Sequence, residues 1–147
     1  MSSPGPAHAE QDDGSGPASL RPERHHLLAR LDYRDITESD ELFIVEMDNR
    51  PDLANTRGAL QGGLVATLID ITAGRLAGRQ VLSTQDVATA DMTVHYLAPI
   101  VTGPARATAT VVRAGKRVVV IAVDVTDVGG NRLAARATLG FAVLDRR

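Results

Sequence analysis

The stretch that decides the fold is QGGLVATLIDITAGRLA, residues 61–77. It contains no proline, and from Leu64 onward its pattern fits a helix of about 15 residues. Two glycines, Gly62 and Gly63, open it, and a single acid, Asp70, lies near its middle. The patterns before and after it are strand-like, so this stretch predicts the one central helix of the fold.

Strand-like segments lie on both sides of this helix. Two precede it, at about 33–38 and 41–47, and four follow it, at 87–97, 105–113, 117–126 and 132–143. Glycines at 115 and 129–130 stand where hairpin turns belong. We therefore predict an α+β fold, a curved antiparallel sheet of about six strands wrapped around one central helix, with the last four strands forming a meander.

The helix leaves the edges and the second face of such a sheet exposed. One helix covers only one face of a six-stranded sheet, and unpaired edge strands invite pairing with another chain. We therefore expect a homo-oligomer, either a dimer or a tetramer.

The N-terminal segment differs in composition from the rest. Residues 1–19 consist mainly of Ser, Pro, Gly, Ala and three acids, and they cannot bury enough apolar area to offset their ordering entropy. We predict a disordered tail at 1–19 and a single domain at 20–147. Within that domain, residues 22–31 resemble a short helix opened by Pro22.

Composition excludes several classes of protein. The chain has no Cys, which excludes disulfide scaffolds, thiolate zinc sites and cysteine nucleophiles. A net charge of −2 and an aromatic content of 3% argue against nucleic-acid binding. The longest apolar run is too short to cross a bilayer, and the N-terminus lacks a signal-peptide pattern. We expect a cytoplasmic protein with no nucleic-acid or membrane partner and no metal.

Asp70 is the only acid of the predicted helix, and it falls on a strip of small residues. On a helical wheel with about 100° per residue, this strip comprises Gly63, Ala66, Thr67, Ala73, Gly74 and Ala77. A carboxylate on an apolar helix is costly to bury without a role or a partner. The strip indicates either packing at a subunit contact, with Asp70 as a satisfied polar group, or the close approach of a ligand.

The start of the helix suggests a chemical role. Free N–H groups at a helix N-terminus can bind an oxyanion, and glycine lets a carbonyl approach closely. Asp70 lies roughly 11–12 Å further along the helix axis, too far to serve the same carbonyl. A second copy of the helix, antiparallel across a dimer contact, could bring its acid to the first copy's N-terminus.

These residues carry a resemblance to a known family. The series Asn55, Gln61-Gly62-Gly63 and Asp70, followed by DMTVHYLAP at 91–99, resembles the hotdog-fold acyl-CoA thioesterases of the phenylacetic-acid-pathway and 4-hydroxybenzoyl-CoA thioesterase type. The likeness covers roughly residues 30–145. It implies a hotdog fold and the hydrolysis of acyl-CoA thioesters to free acid and CoA. It also implies that CoA enters only as part of the substrate and that no other cofactor is needed.

The resemblance also implies roles for single residues. Asp70 would be the nucleophile or the general base, and the backbone N–H of Gly62 would polarise the thioester carbonyl. Asn55 would position water or that carbonyl, and Thr89 would lie near the attacking water. Gln61 and Gly63 would bind substrate beside Gly62.

A basic hairpin provides a candidate site for CoA. Arg113, Lys116 and Arg117 match the turn that meets the CoA phosphates in the family, and three cations at one hairpin suit a pyrophosphate and a ribose phosphate. The alternative is an ordinary solvated hairpin.

One position departs from the family pattern. Gln61 stands where the family carries His, and a Gln can replace a His that only hydrogen-bonds to organise the loop. The alternative functions are a non-catalytic acyl-CoA-binding hotdog protein and a structural oligomer whose small-residue strip is only packing. The four aromatic residues offer no evident ring-stacking wall, which favours aliphatic acyl groups.

Overall fold

A computed structural model describes residues 26–147, of which Leu31–Arg147 form one compact unit. The tail predicted at 1–19, the domain start at 20 and the first residues of the helix predicted at 22–31 lie outside the described residues. Within them, Leu27–Leu31 form a short 3₁₀ helix, not an α-helix. The helical backbone ends at Asp32, whose φ is 50°.

One long helix and six strands are the other elements of the described residues. The helix, α1, spans Gly62–Gly78. The strands are β1 (Arg34–Glu38), β2 (Leu42–Met47), β3 (Gln85–Tyr96), β4 (Ala105–Ala114), β5 (Val118–Asp127) and β6 (Arg132–Asp145). The number, the order and the approximate bounds of these elements confirm the sequence prediction.

The core lies between α1 and the inner face of the sheet. Alternate residues of β2, β4, β5 and β6 are buried, as the period of two in their sequences requires. Full burial of a large aliphatic side chain stabilises the fold by about 1.5–3 kcal/mol. The largest side chains without exposed surface include Met47, Leu68, Ile69, Leu76, Ile121 and Leu139.

The strand order corrects one prediction. The order is β1-β2-β4-β5-β6-β3, and every pair is antiparallel. A meander of the last four strands is therefore wrong, because β3 pairs with β6 and β4 pairs with β2. The connection at 97–104 is too long for a tight hairpin, and it carries the chain from one edge strand to the middle of the sheet.

The edge strand β3 is long and largely exposed. Its 12 residues pair on one side only, with β6. Met92 and Tyr96 on this strand, and Leu97 directly after it, expose 39%, 56% and 56% of their surface. A long unpaired edge with exposed apolar side chains is a surface that natural proteins usually cover.

The small-residue strip on α1 is only partly accessible. Ala73 and Ala77 have no exposed surface and pack inside the chain itself. Gly63, Ala66, Thr67, Asp70 and Gly74 keep exposed surface. The part of the strip that another molecule can reach therefore lies between Gly63 and Gly74.

No helix within residues 26–147 is both long enough and apolar enough to span a membrane.

Candidate active site

Asp70 and Thr89 form the first part of the candidate site. Asp70 lies in the middle of α1, half-buried, and its Oδ1 accepts a hydrogen bond of 2.8 Å from the hydroxyl of Thr89 on β3. The second carboxylate oxygen, Oδ2, has no hydrogen-bond partner within residues 26–147. The pair therefore presents a carboxylate that is held at one oxygen and free to act as a base or nucleophile at the other.

A β-bulge between Thr89 and Asp91 shapes this part of the site. Thr89 and Tyr96 are seven positions apart, an odd number, so in a regular strand they would point to opposite faces. The extra residue at the bulge changes the alternation, and both side chains contact α1. The bulge thus lets one strand hold α1 at two separate points.

The start of α1 forms the second part. Gln61 precedes the helix with φ −58° and ψ 137°, and its side chain makes no capping hydrogen bond. The carbonyl of Gln61 accepts the N–H groups of Leu64 and Val65. The N–H groups of Gly62 and Gly63 have no acceptor within the described chain, so both can donate to a ligand.

The two parts do not meet within one chain. Gly62 and Asp70 are eight residues apart on α1, about 12 Å along the axis. The Thr89 contact lies near the middle of α1 and the Tyr96 contact at its N-terminus. One chain therefore supplies an acid and a pair of free N–H donors at different places.

Asn55 lies in the loop before α1, where it organises the backbone. Its Oδ1 accepts hydrogen bonds from the N–H groups of Arg57 (2.9 Å) and Ala59 (3.2 Å). Its amide nitrogen makes no hydrogen bond among residues 26–147, and the residue lines a cavity together with Gly62. Asn55 can therefore act on a ligand as a donor, while its oxygen is used by the loop.

A cavity of about 320 Å³ adjoins the start of α1. Its lining combines Gly62 and Asn55 with apolar side chains, among them Val65, Tyr96, Leu97 and Ile100. Sequence reasoning missed Tyr96 as a site residue. The signal was its position in the quoted stretch 91–99, but a regular strand would have placed it on the face opposite to Thr89.

The basic hairpin between β4 and β5 borders a second cavity, of about 550 Å³. Arg113, Lys116 and Arg117 line it, all three are exposed, and none has an ion-pair partner in the described part of the chain. A side chain at Gly115 would place its Cβ 2.9 Å from the carbonyl oxygen of Val118, which explains the glycine in this tight turn. The hairpin therefore carries uncompensated positive charge.

The hairpin and Asp70 lie toward the same end of the sheet. Thr89 pairs with Phe141 on β6, which in turn pairs with Val119 on β5, two residues beyond Arg117. Two strand spacings separate Thr89 from Val119, about 10 Å. The sequence-predicted catalytic acid and the sequence-predicted phosphate-binding cations are therefore on neighbouring parts of one chain.

Asp127 is a buried acid that sequence reasoning did not single out. Its carboxylate accepts N–H groups from Val101, Thr102, Gly103 and Gly130, at 2.7–3.3 Å. Burial works to raise the pKa of Asp127, but the four N–H donors outweigh burial and hold this pKa below its ordinary value. The acid thus ties the loop after Ile100, which borders the cavity, to the β5–β6 turn.

No group of three or more metal-ligating side chains exists among residues 26–147. That neither metal nor cofactor is required stays a prediction.

Six antiparallel strands around one central helix, with the site at that helix, define the hotdog fold. Residues 57–134 match the thioesterase superfamily. A protein of Saccharolobus solfataricus, provisionally named an esterase, is 30% identical over 114 residues, which are 78% of this chain and 80% of the relative. The chain belongs to the thioesterase superfamily, a family of hydrolases.

Solved structures agree with this assignment. A thioesterase family protein of Silicibacter pomeroyi has a TM-score of 0.76 at 25% identity, covering 84% of this chain and 92% of that chain. A Bacillus halodurans protein solved with CoA has a TM-score of 0.65 at 30% identity, covering 69% of this chain and 66% of that chain.

Proposed function

We propose that this protein hydrolyses acyl-CoA thioesters to the free acid and CoA. The observation that carries the proposal is the hydrogen bond from Thr89 to Asp70, which leaves one carboxylate oxygen available at a half-buried position. Since the chain has no Cys, no thiol can attack the thioester, and this carboxylate is the proposed base or nucleophile.

The reaction can follow either of two routes. As a general base, Asp70 takes a proton from water while the water oxygen bonds to the thioester carbon. As a nucleophile, its Oδ2 bonds to that carbon and forms an anhydride, which water then hydrolyses. In both routes the C–S bond breaks, and the CoA thiolate leaves and takes up a proton. The carbonyl oxygen becomes an oxyanion, for which the N–H of Gly62 is the proposed donor.

We further propose that two copies of the chain build each site. The open edge of β3 supports this, because Thr89 near its start holds Asp70, and Tyr96 at its end contacts Gly62. Antiparallel pairing of two β3 edges sets the start of one strand against the end of the other. Gly62 would then face Asp70 of the partner subunit. The long unpaired edge of β3 favours a dimer, and two dimers packed together would give a tetramer.

The basic hairpin is the proposed site for the phosphates of CoA. Elsewhere in the described chain Arg34, Arg75, Arg106 and Arg136 face carboxylates, whereas the hairpin cations face none. Phosphate groups would supply the missing negative charge. The Bacillus halodurans relative solved with CoA supports the choice of ligand.

Gln61 and Asn55 are the proposed supporting residues. The side chain of Gln61 is exposed and makes no capping contact, so its amide can hydrogen-bond to a ligand or to a second chain. Asn55 can donate from its amide nitrogen to the thioester carbonyl or to the attacking water, because its oxygen is bonded to the loop. Replacement of Gln61 by the family His would test whether the glutamine lowers the rate.

Release of free thiol from acyl-CoAs of varied chain length tests the proposal. The unmutated protein should turn over at least one of them, and Asp70→Asn should lower kcat by at least about 100-fold while CoA still binds. Asp91→Asn is the control, because Asp91 is an exposed acid of β3, the strand that carries Thr89, and its side chain lies against Gly140. Binding without turnover in the unmutated protein would contradict the enzyme and favour an acyl-CoA-binding protein.

A further inference from the structure

Tyr96 makes a specific contact with the start of α1. Its hydroxyl donates a hydrogen bond of 2.7 Å to the carbonyl oxygen of Gly62. Its ring lies against the same residue, since a Cβ built on Gly62 would be 3.5 Å from the ring carbon Cε1. The ring also lines the cavity beside α1. The two parts of this side chain, ring and hydroxyl, therefore both act on the peptide that opens the helix.

The carbonyl that Tyr96 binds belongs to a particular peptide group. The C=O of Gly62 and the N–H of Gly63 are the two ends of one planar unit. A hydrogen bond to the oxygen of a peptide polarises the unit and strengthens its N–H as a donor. The Tyr96 hydroxyl thus fixes the plane of this peptide and makes the N–H of Gly63 a stronger hydrogen-bond donor to a ligand.

The carbonyl of the neighbouring peptide also accepts hydrogen bonds. The carbonyl of Gln61, which shares a peptide with the N–H of Gly62, accepts hydrogen bonds from Leu64 and Val65, at 2.9 and 3.0 Å. Both glycine N–H groups lack an acceptor in the described chain. Two adjacent donors are therefore free at their N–H ends and polarised at their carbonyl ends.

We propose that Tyr96 is a positioning residue for the hydrolysis, and that its hydroxyl makes Gly63 N–H the second donor to the oxyanion beside Gly62 N–H. This inference rests on the proposed function. A thioester carbonyl gains negative charge only as the attack proceeds, so a second donor stabilises the transition state more than the bound substrate. The hydroxyl of Tyr96 should accordingly affect kcat and leave ground-state binding unchanged.

The β-bulge makes this arrangement possible. Without the extra residue after Thr89, either Thr89 or Tyr96 would face away from α1. One strand therefore orients both the acid, through Thr89, and the oxyanion donors, through Tyr96.

The test compares Tyr96→Phe with Tyr33→Phe. The first removes the hydroxyl and keeps the ring against Gly62. The second is a matched control, because Tyr33 lies on the segment before β1, and its ring, not its hydroxyl, contacts Arg75. Tyr96→Phe should lower kcat about 5- to 20-fold, leave KM and the Kd for CoA within about twofold, and keep the melting temperature close to that of Tyr33→Phe.

Three results would overturn the role of Tyr96. The first is a Tyr96→Phe variant with kcat within twofold of the unmutated protein. The second is a loss of kcat that is matched by an equal loss of CoA binding. The third is failure of the variant to fold, which would assign the hydroxyl to stability.

Failure of the proposed function gives a different result. In that case the unmutated protein would release no thiol from any acyl-CoA, before any variant is measured. The role of Tyr96 would then fail with it, whereas an active unmutated protein with an unaffected Tyr96→Phe variant would reject the role of Tyr96 alone.

Discussion

Two side-chain hydrogen bonds join β3 to α1, one at the proposed catalytic acid and the other at the proposed oxyanion donors. Thr89 donates to the carboxylate of Asp70, and Tyr96 donates to the carbonyl of Gly62. A threonine in a strand is usually only a good strand former, so its sequence position alone did not establish a role. The hydrogen bond of 2.8 Å to Asp70 supports the proposal that Thr89 orients the acid.

Replacing Thr89 tests this orientation. Thr89→Val keeps the shape of the side chain and removes the donor, and loss of one hydrogen bond to a charged group should lower kcat about tenfold with little change in KM. Thr89→Ser restores a hydroxyl and should recover most of the rate. Steady-state kinetics of thiol release measures both variants. Equal activity of the Val and Ser variants would show that the hydroxyl does not orient Asp70.

At the scale of the elements, the sequence predicts the strands and the helix but not their neighbours in the sheet. Alternation in β2, β4, β5 and β6 specifies which residues are buried, because each strand has one face on α1. Alternation carries no information on whether β3 pairs with β4 or with β6. The bulge in β3 could not be predicted from the sequence either, because the apolar and polar residues of this strand alternate too weakly to show one extra residue.

The hairpin between β4 and β5 gives an element-scale prediction. The double variant Lys116→Ala/Arg117→Ala should raise KM for acyl-CoA about tenfold, because two cations that meet the phosphates are lost. KM for the N-acetylcysteamine thioester of the same acid, which lacks the nucleotide phosphates, should not change. Arg136→Ala, which removes an arginine paired with Asp124, is the control. An equal change in KM for both substrates would contradict a phosphate site.

The loop that Asp127 holds gives a prediction on stability. Asp127→Asn replaces a buried carboxylate that accepts four N–H groups, and it should lower the free energy of unfolding by on the order of 2–3 kcal/mol. Asp124→Asn, at an exposed pair with Arg136, should cost less than about 1 kcal/mol. Urea unfolding at one protein concentration measures both.

The same acid sets a pH dependence. Because the pKa of Asp127 is lower in the folded chain than in the unfolded chain, its contribution to stability is present above the unfolded pKa of about 3.9. The contribution is lost as the pH falls through the folded pKa. The difference in stability between the unmutated protein and Asp127→Asn should therefore shrink below about pH 4. A difference that grows in acid would contradict this assignment.

At the scale of the whole molecule, the sequence predicted the hotdog fold, whereas the residues it proposes for the site lie at two separate places in one chain. The spacing of Gly62 and Asp70 on one helix predicts that they do not serve the same thioester carbonyl. The open edge of β3 adds a surface that can join two copies. How two chains meet depends on surfaces that no periodicity in one sequence describes.

The most direct test of a shared site mixes two inactive variants. Asp70→Asn removes the acid, and Gly62→Pro removes the proposed oxyanion donor. Proline is tolerated at the first position of a helix, and the ψ of 137° at Gln61 suits a residue before proline. Each variant alone should be at least about 100-fold less active than the unmutated protein on acyl-CoA.

The measurement is the rate of thiol release after the two variants are unfolded and refolded together in equal amounts. In a mixed dimer, one site combines the intact Gly62 of one chain with the intact Asp70 of the other. Half of the dimers are mixed and each has one intact site of two, so the activity should recover to about a quarter of that of the unmutated protein. A mixture no more active than its two components would contradict a site built from two chains.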